Sequence, residues 1–408
     1  MISTPDQSLT LLEDIVSQPT APYHEEQVAA RVLNYLRRWD VPCSVDEGGN
    51  IIAHYRRGPA CRPLILMAHM DHPACTIAVA GGPRGAEWTA TLEGGVPPSY
   101  FGQPVAVRIH TADRAASAAG IAARSISYTQ DPETRVLSLH LKLDNPASAS
   151  SIRPGDFATW DLPDFAVREG VIHARAIDDL AGCAAMLLTI GRAAREQWDT
   201  DLYAVFTRAE EVGLVGAYVA LGGSLLPREG YLVSLEASKA LPGAVQGGGP
   251  VIRVGDRLTT FSQDAELVLK SAAQSLGLSI RHFRPAGDAD EAGTTVQRQL
   301  MSGGACEASL AVLMGYEATG LAFPLGNYHN MGEGSVLAAE NIHASDFLTG
   351  VSVLQEAARL LPEIRSLRAK QLAAREPDAA KVERLRASSL PTGWNDPEAN
   401  PAPTGGNA

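Results

Sequence analysis

The chain has 408 residues, of which 45% are hydrophobic and 20% charged, so a fully disordered protein is excluded and two or three globular domains are possible. Its 46 acidic and 34 basic residues give a net charge of -12, which disfavours a protein that tracks nucleic-acid phosphates. No run reaches the roughly 18–20 apolar residues needed to cross a bilayer, and the first residues lack the basic and apolar regions of a secretory signal. We therefore expect a cytoplasmic protein whose partners include neither nucleic acid nor membrane.

The first forty residues predict two helices that pack on a sheet. Prolines separate the two helical patterns, and the second pattern places four apolar side chains on one face, namely Val28, Val32, Leu33 and Leu36. Apolar runs at residues 51–55 and 64–68 then predict two strands. The second run, LILMA, contains no polar residue, which is typical of a strand buried on both faces in a parallel sheet, and it ends directly at His69.

Between about residues 73 and 166 the pattern changes to short alternating segments such as VAVRIHT and RVLSLHLKL, separated by turn residues. This predicts a small all-β insert. Helix and strand patterns alternate again from Asp178 to residue 361, with strands at DLYAVFT, 231–235 and LAFPLG, and helices near 212, 265–276 and 344–361. The fold class predicted is α/β, an open and mostly parallel sheet flanked by helices and interrupted by the insert.

The expected domain boundaries follow from these changes of pattern. Residues 1–72 form the first part of the α/β domain, 73–165 the insert, and 166–361 the second part of the α/β domain. Residues 362–408 are charged and then rich in Pro, Gly and Asn, with too few apolar residues to pack. We expect a frayed helix followed by disorder there.

Polar residues follow four of the predicted strands at the point where each strand ends. Because ligands bind beyond the carboxyl ends of strands in open α/β sheets, we expect these side chains to meet in one crevice. Asp178 and Asp179 also lie at the start of a predicted helix, where carboxylates are favoured. The side chains at the strand ends are those of His69, Asp71, Glu210, Glu211, Glu236 and His329.

Two imidazoles and several carboxylates in one crevice predict a metal centre. Bare carboxylates repel one another, and divalent cations would hold them together. Mixed nitrogen and oxygen ligands suit zinc, with cobalt or manganese as alternatives. Each residue alone also has a purely structural interpretation, such as helix capping for Asp178 and Asp179. The ordered set at successive strand ends favours a dinuclear site.

Taken in order, the motifs AHMDHPA, ARAIDDLAG, TRAEEVGLVGA, SLEAS and YHN resemble those of the M42 family of aminopeptidases, within the wider zinc-peptidase group. The segments RPGDFATWD and GGGPVIRVGD add to the resemblance, which covers roughly residues 8 to 360. It implies a dinuclear metallo-aminopeptidase that removes N-terminal residues from short peptides. It also implies self-association, because members of the family build large hollow homo-oligomers.

The resemblance implies a role for each site residue. Asp178 bridges two divalent ions. His69 and Glu236 complete one ion's site, and Glu211 and His329 complete the other. Asp71 accepts the second ring N–H of His69 and fixes its tautomer. Glu210 is the general base, which passes a proton from the metal-activated water to the leaving amine.

The sequence departs from the family pattern at three places. Glu236 stands where the family usually has Asp, a change that keeps the ligand atoms and lengthens the side chain by one carbon. His72 stands where an acidic residue is common, so the wall of the pocket is expected to differ. The segment GDADEAGTT is a looser version of the corresponding family loop, and substrate contacts are not transferred to it.

Two other functions stay open from the sequence. A related amidohydrolase could act on N-acyl amino acids or other small amides with the same metal site. A catalytically silent metal-binding homologue is the second alternative. A serine or cysteine nucleophile has little support, because there is no G-x-S-x-G motif and Cys183 lies in an apolar helix where packing explains it.

Overall fold

The computed structural model of the protein describes residues 5–81, 86–111, 120–240, 243–282, 295–373 and 376–388. Residues up to Pro362 form one compact unit, and the chain from Glu363 forms a second. Within the described ranges no helix is both long and apolar enough to span a membrane. The segment GDADEAGTT, apart from its last residue, and the tail beyond residue 388 lie outside the described residues.

Strands and helices alternate along most of the chain. The strands are β1 (Cys43–Val45), β2 (Ile51–Arg57), β3 (Leu64–His69), β4 (Ala74–Gly81), β5 (Glu87–Glu93), β6 (Val105–His110), β7 (Ile121–Gln130), β8 (Leu137–Leu143), β9 (Phe157–Trp160), β10 (Ala166–Arg168), β11 (Val171–Ala174), β12 (Thr200–Thr207), β13 (Tyr231–Lys239), β14 (Val251–Arg253), β15 (Ser279–His282), β16 (Thr295–Gln299), β17 (Glu317–Leu325) and β18 (Glu340–His343). The helices are α1 (Pro5–Val16), α2 (Glu26–Arg38), α3 (Leu180–Glu196), α4 (Val215–Gly222), α5 (Gln263–Ser275), α6 (Glu307–Leu313), α7 (Ala344–Leu360), α8 (Ile364–Ala373) and α9 (Ala379–Ala387).

A nine-stranded sheet in the order β1-β2-β12-β3-β13-β17-β14-β16-β15 forms the centre of the first unit. Strand β3 pairs in parallel with β12 on one side and β13 on the other, and β13 pairs in parallel with β17. Strands β2 and β14 run antiparallel to their central neighbours. Every residue of β3 is buried, as its apolar sequence predicts. The expected open, mostly parallel sheet is confirmed.

Helix α3 packs against β3, and its N-terminus follows directly after Asp178 and Asp179. The side chain of Asp179 caps α3 by accepting the backbone N–H of Gly182 at 3.2 Å. At Gly191 an added Cβ would lie 2.4 Å from the ring of Trp39, so only glycine allows α2 and α3 to approach this closely. Asp178 is the residue just before this cap.

The predicted all-β insert is a closed antiparallel barrel in the order β4-β5-β8-β7-β6-β9. Its core consists of buried apolar side chains that alternate with exposed ones along the strands, and Leu139, Leu141 and Trp160 are among the most buried of them. The alternation in VAVRIHT and RVLSLHLKL therefore reflects an inside and an outside face.

Three local features differ from the sequence expectations or were missed. The helix expected near residue 212 begins at Val215, because the preceding residues form a turn and Leu214 adopts a left-handed conformation with φ of 60°. Strand β13 continues to Lys239, so Glu236 lies within a strand and not after it. A third sheet, β10-β11-β18, was not predicted from its short strands.

The second unit contains α8 and α9 where one frayed helix was expected. Helix α9 begins after Asp378, whose side chain accepts the backbone N–H of Ala380 at 2.8 Å. The side chains of α9 are largely exposed, in keeping with the charged composition of this part of the chain.

Candidate metal centre

The parallel register brings the strand-end residues to one level of the sheet. His69 is the last residue of β3 and lies opposite Thr207, the last residue of β12. On the other side of β3 the last pair is Ser234 with Met67, so Glu236, two residues further along β13, lies level with His69. The crevice expected beyond the strand ends therefore starts from these three neighbouring strands.

One group of ligand-type atoms comes from His69, Asp178 and Glu236, which are all buried. One such atom from each residue lies within 4.8 Å of the others. Nε2 of His69 is 3.6 Å from Oδ1 of Asp178, which is too far for a hydrogen bond but suits two ligands of one ion.

A second group comes from Asp178, Glu211 and His329. Nε2 of His329 lies 3.2 Å from Oε1 of Glu211 and 3.7 Å from Oδ2 of Asp178. Nδ1 of the same ring donates a hydrogen bond to the carbonyl of Gly95 at 3.1 Å, which orients Nε2 toward the carboxylates. Asp178 belongs to both groups, with a different oxygen facing each histidine.

Glu210 lies beside these groups. Its Oε2 is 4.0 Å from Nε2 of His69, and the pair forms a third group with Glu211. Burial raises the pKa of Glu210 well above its ordinary value; His69 opposes this effect, and the carboxylates of Glu211 and Glu236 add to it. A raised carboxyl pKa suits a group that accepts and releases a proton during a reaction.

The carboxylate of Asp71 points at the backbone that carries the two glutamates. Oδ1 accepts the N–H of Glu210 and Oδ2 accepts the N–H of Glu211, each at 3.0 Å. Nδ1 of His69 lies 3.1 Å from the carbonyl oxygen of Asp71 and 3.5 Å from its Oδ1. Asp71 thus contacts His69 mainly through its backbone and uses its side chain to position Glu210 and Glu211.

The buried oxygens of the centre fit divalent cations. Oδ1 of Asp178 and Oε1 of Glu236 have no hydrogen-bond partner among the described residues, although both are buried. Burial raises the pKa of Glu236 to about 8, whereas His69 and His329 outweigh the effect of burial on Asp178 and lower its pKa. Burial alone lowers the pKa of His329, but Glu211 and Asp178 raise it to about 9. Cations would satisfy these carboxylates, and a nitrogen and oxygen donor set suits zinc, cobalt or manganese.

The structure brings together all seven residues singled out from the sequence, His69, Asp71, Asp178, Glu210, Glu211, Glu236 and His329. It adds two buried residues that the sequence did not single out as part of the site, Asn330 and Glu340, whose contacts are with backbone and neighbouring side chains. His72 was expected to alter the pocket wall. It is instead 2% exposed, and its Nδ1 is hydrogen-bonded to the backbone carbonyl of Asp178. No motif spacing would have revealed these contacts, since they join distant parts of the chain.

A cavity of about 90 Å³ adjoins the centre on the side of Glu236. Lys239, Arg253 and Tyr328 line it together with the glycine-rich segment at Gly303. Arg253 is 3% exposed, and its Nε has no hydrogen-bond partner among the described residues. The remaining guanidinium nitrogens contact Ser238 and Asp256, at 3.5 and 4.0 Å. The wall of the cavity therefore carries two cationic side chains.

Comparison with known proteins identifies the family. A family model described as M42 glutamyl aminopeptidase matches residues 49–341. The chain belongs to the M42 family. A protein of Acetivibrio thermocellus named "Putative aminopeptidase" is 30% identical over 125 residues, which are 29% of this chain and 37% of that relative. The chain thus matches well under two thirds of that curated relative's length.

Solved structures of other family members share the fold. The TET1 peptidase of Pyrococcus horikoshii, described as assembling into a tetrahedron or a large octahedral shell, is 20% identical, with a TM-score of 0.67 over 86% of this chain and 99% of that one. A TET aminopeptidase from a marine sediment thaumarchaeote is 18% identical, with a TM-score of 0.69 over 88% of this chain and 98% of that one. At these identities the likeness concerns the fold alone.

Proposed function

We propose that the protein is a metal-dependent aminopeptidase that hydrolyses N-terminal residues from short peptides. The observation that carries this proposal is Asp178, which presents one carboxylate oxygen to the His69 side of the centre and the other to the His329 side. Membership of a peptidase family supports the reaction class.

The ligand set of each ion follows from the two groups. His69 and Glu236 would hold one divalent ion, Glu211 and His329 the other, and Asp178 both, with zinc as the first candidate. When bound, such ions supply a water molecule of lowered pKa and polarise the carbonyl of the scissile amide. Glu236 offers the same donor atoms as the aspartate usual in the family.

Glu210 is proposed to move the proton. Its carboxylate lies beside His69 and borders the ligand groups. It would accept a proton from the attacking water and deliver it to the leaving amine. Asp71 holds the backbone of Glu210 and so fixes where that carboxylate can reach.

Elemental analysis combined with a substrate panel tests the proposal. Purified protein is expected to hold two divalent ions per chain and to release N-terminal residues from peptides and aminoacyl chromophores. The panel includes N-acyl amino acids, the alternative substrates considered from the sequence. Hydrolysis of N-acyl substrates alone, or no hydrolysis by a fully metal-loaded sample, would contradict the proposal.

We extend the proposal to acidic N-terminal residues, because the matching family is described as glutamyl aminopeptidases. The cavity beside Glu236 has cationic side chains on its wall, Lys239 and Arg253, and Nε of Arg253 has no hydrogen-bond partner among the described residues. A substrate carboxylate there would gain charge-assisted hydrogen bonds. Lys239→Met should raise KM for glutamyl substrates about tenfold with little change for alanyl ones. A wild-type preference for leucyl substrates would contradict this extension.

Self-association is part of the proposal, because solved structures with the same fold include dodecamers and a tetrahedral or octahedral shell. Light scattering after size exclusion should give a mass many times that of one chain, and a monomer would contradict this point. The cytoplasm is the proposed compartment, as expected from the sequence.

A further inference from the structure

Glu340 is a completely buried glutamate between two of the segments that carry metal ligands. It begins strand β18 and pairs with Ala174, the last residue of β11. Asp178 follows that strand end by four residues, and His329 precedes β18 by eleven. The pairing of β11 with β18 therefore places one carboxylate beside the backbone of both ligand segments.

The Glu340 carboxylate accepts three backbone N–H groups. Oε2 accepts the N–H of Ile177 at 2.8 Å and that of Asp178 at 3.0 Å. Oε1 accepts the N–H of His329 at 2.8 Å. Hydrogen bonds from N–H groups to a buried carboxylate are among the stronger ones in proteins, so the two segments are tied together at a fixed separation.

His72 holds the same segments from the opposite side. Its Nδ1 lies 2.7 Å from the carbonyl oxygen of Asp178, and its Nε2 lies 3.0 Å from Oδ1 of Asn330, the residue after His329. Nδ2 of Asn330 donates to the carbonyl of Arg175 at 2.8 Å, which fixes the orientation of the amide. Both the N–H and the carbonyl of Asp178 are thus held by side chains from elsewhere in the chain.

We propose that Glu340 is a positioning residue of the metal centre, which sets the distance between the bridging ligand Asp178 and the ligand His329 through their backbone N–H groups. His72 supports the arrangement from the carbonyl side of Asp178. Ligands that come from separate loops keep the spacing that two ions require only if their backbones are fixed relative to each other. This inference rests on the proposed function.

The test is Glu340→Gln, which keeps the size of the side chain. An amide group replaces one oxygen, so an NH₂ faces either the N–H of His329 or those of Ile177 and Asp178. We expect the affinity for Zn²⁺, measured by competition with a chelator, to fall about 10- to 100-fold. At saturating Zn²⁺ we expect kcat to fall while KM changes little, because the ligands and not the substrate cavity are displaced.

Asp346→Asn is the matched control. Asp346 is also fully buried and accepts two backbone N–H groups, those of Gly247 and Gly249, each at 2.8 Å. The same chemical change there should lower the thermal stability of the metal-free protein and leave Zn²⁺ affinity unchanged. Wild-type Zn²⁺ affinity in Glu340→Gln, or an equal loss of affinity in Asp346→Asn, would overturn the inference.

His72→Gln decides the question if Glu340→Gln does not fold. Glutamine can donate a hydrogen bond to only one of the two oxygens that His72 contacts, the carbonyl oxygen of Asp178 and Oδ1 of Asn330. Zn²⁺ affinity should therefore fall about tenfold. Unchanged affinity would overturn the inference. The same measurements distinguish a failure of the proposed function from a failure of the positioning role of Glu340. Wild-type protein that holds no pair of ions overturns the proposed function itself, whereas normal wild-type binding with unaffected variants overturns only the positioning role.

Discussion

The core of the barrel and the ligands at the heart of the metal centre are both buried, yet they bury opposite kinds of groups. In the barrel, Leu139 and Leu141 are fully buried among other apolar side chains. At the centre, His69 is 1% and Asp178 3% exposed. Removing apolar surface from water stabilises the fold, whereas removing carboxylates from water costs free energy unless they are paired.

The barrel and the metal centre also differ in which buried polar atoms lack a hydrogen-bond partner. Among the described residues, the barrel also buries polar atoms without a hydrogen-bond partner, but these are neutral, such as the indole N–H of Trp160. In the part of the chain that the structure describes, the unpartnered oxygens of the ligand groups belong to the carboxylates of Asp178, Glu211 and Glu236. Burial of the apolar barrel core therefore stabilises the fold, whereas the buried carboxylates of the centre favour the binding of cations.

The largest effect is expected for Glu210→Gln. The amide cannot accept the proton of the attacking water, so kcat should fall about 10²- to 10⁴-fold while both ions stay bound. Steady-state kinetics and elemental analysis on the same sample check this. Glu13→Gln, on the exposed side of α1, is the control and should change neither quantity. Near-normal turnover in Glu210→Gln would remove this residue from the mechanism.

A cavity created in the barrel core should lower the stability of the protein and leave catalysis unchanged. Leu139→Ala removes a fully buried side chain and should lower the free energy of unfolding by about 2–5 kcal/mol. Denaturant unfolding of the metal-free protein measures the loss. The metal content and kcat of the folded variant should equal those of the wild type, and a loss of bound metal would show that the two regions are not independent.

Asp71→Asn should disturb the centre without removing a ligand. The amide can accept only one of the two backbone N–H groups, so Glu210 and Glu211 lose a fixed position and kcat should fall about 10- to 100-fold. Asp131 makes the same kind of contacts in an exposed turn of the barrel, to the N–H groups of Glu133 and Thr134. Asp131→Asn should leave kcat unchanged, and equal kinetics in both variants would contradict the role given to Asp71.

The smallest effect concerns a buried carboxylate that already has its partners. Oε1 of Glu266 accepts a hydrogen bond from Nε of Arg298 at 2.6 Å, and Oε2 accepts one from Nη2 of the same residue at 3.0 Å. Burial raises the pKa of Glu266, but Arg298 and Lys270 outweigh it and lower the pKa below its ordinary value.

A lowered pKa in the folded state means that the pair stabilises the protein above the ordinary glutamate pKa. This stabilisation is lost as the pH falls through the lower folded value. Glu266→Gln should therefore cost about 1 kcal/mol at pH 7, a modest value because Arg298 is partly exposed. Urea unfolding at several pH values should show the difference from wild type shrinking in acid, and a growing difference would contradict the sign.

The sequence was sufficient for features that depend on local pattern. The run LILMA predicted a buried parallel strand that ends at His69, and alternation predicted an all-β insert, which the structure shows to be a closed barrel. The positions of Glu210, Glu211 and His329 followed from the rule that ligands gather beyond strand ends. Where the insert begins and ends as a domain stays a prediction.

Features that depend on long-range pairing could not be predicted. Glu340 reaches Asp178 only because β18 pairs with β11, and neither short strand has a distinctive pattern. The direction of the Asp71 carboxylate likewise depends on how the turn after β12 folds over β3. Motif spacing identifies which residues meet, whereas the contacts that hold them in place come from segments far apart in the sequence.

Anomalous scattering from crystals of the metal-loaded protein tests the central claim most directly. The proposed function predicts two ions per chain, with Asp178 bound to both, His69 and Glu236 bound to one, and Glu211 and His329 bound to the other. A single ion in a saturated crystal would contradict it, as would two ions bound without Asp178 between them.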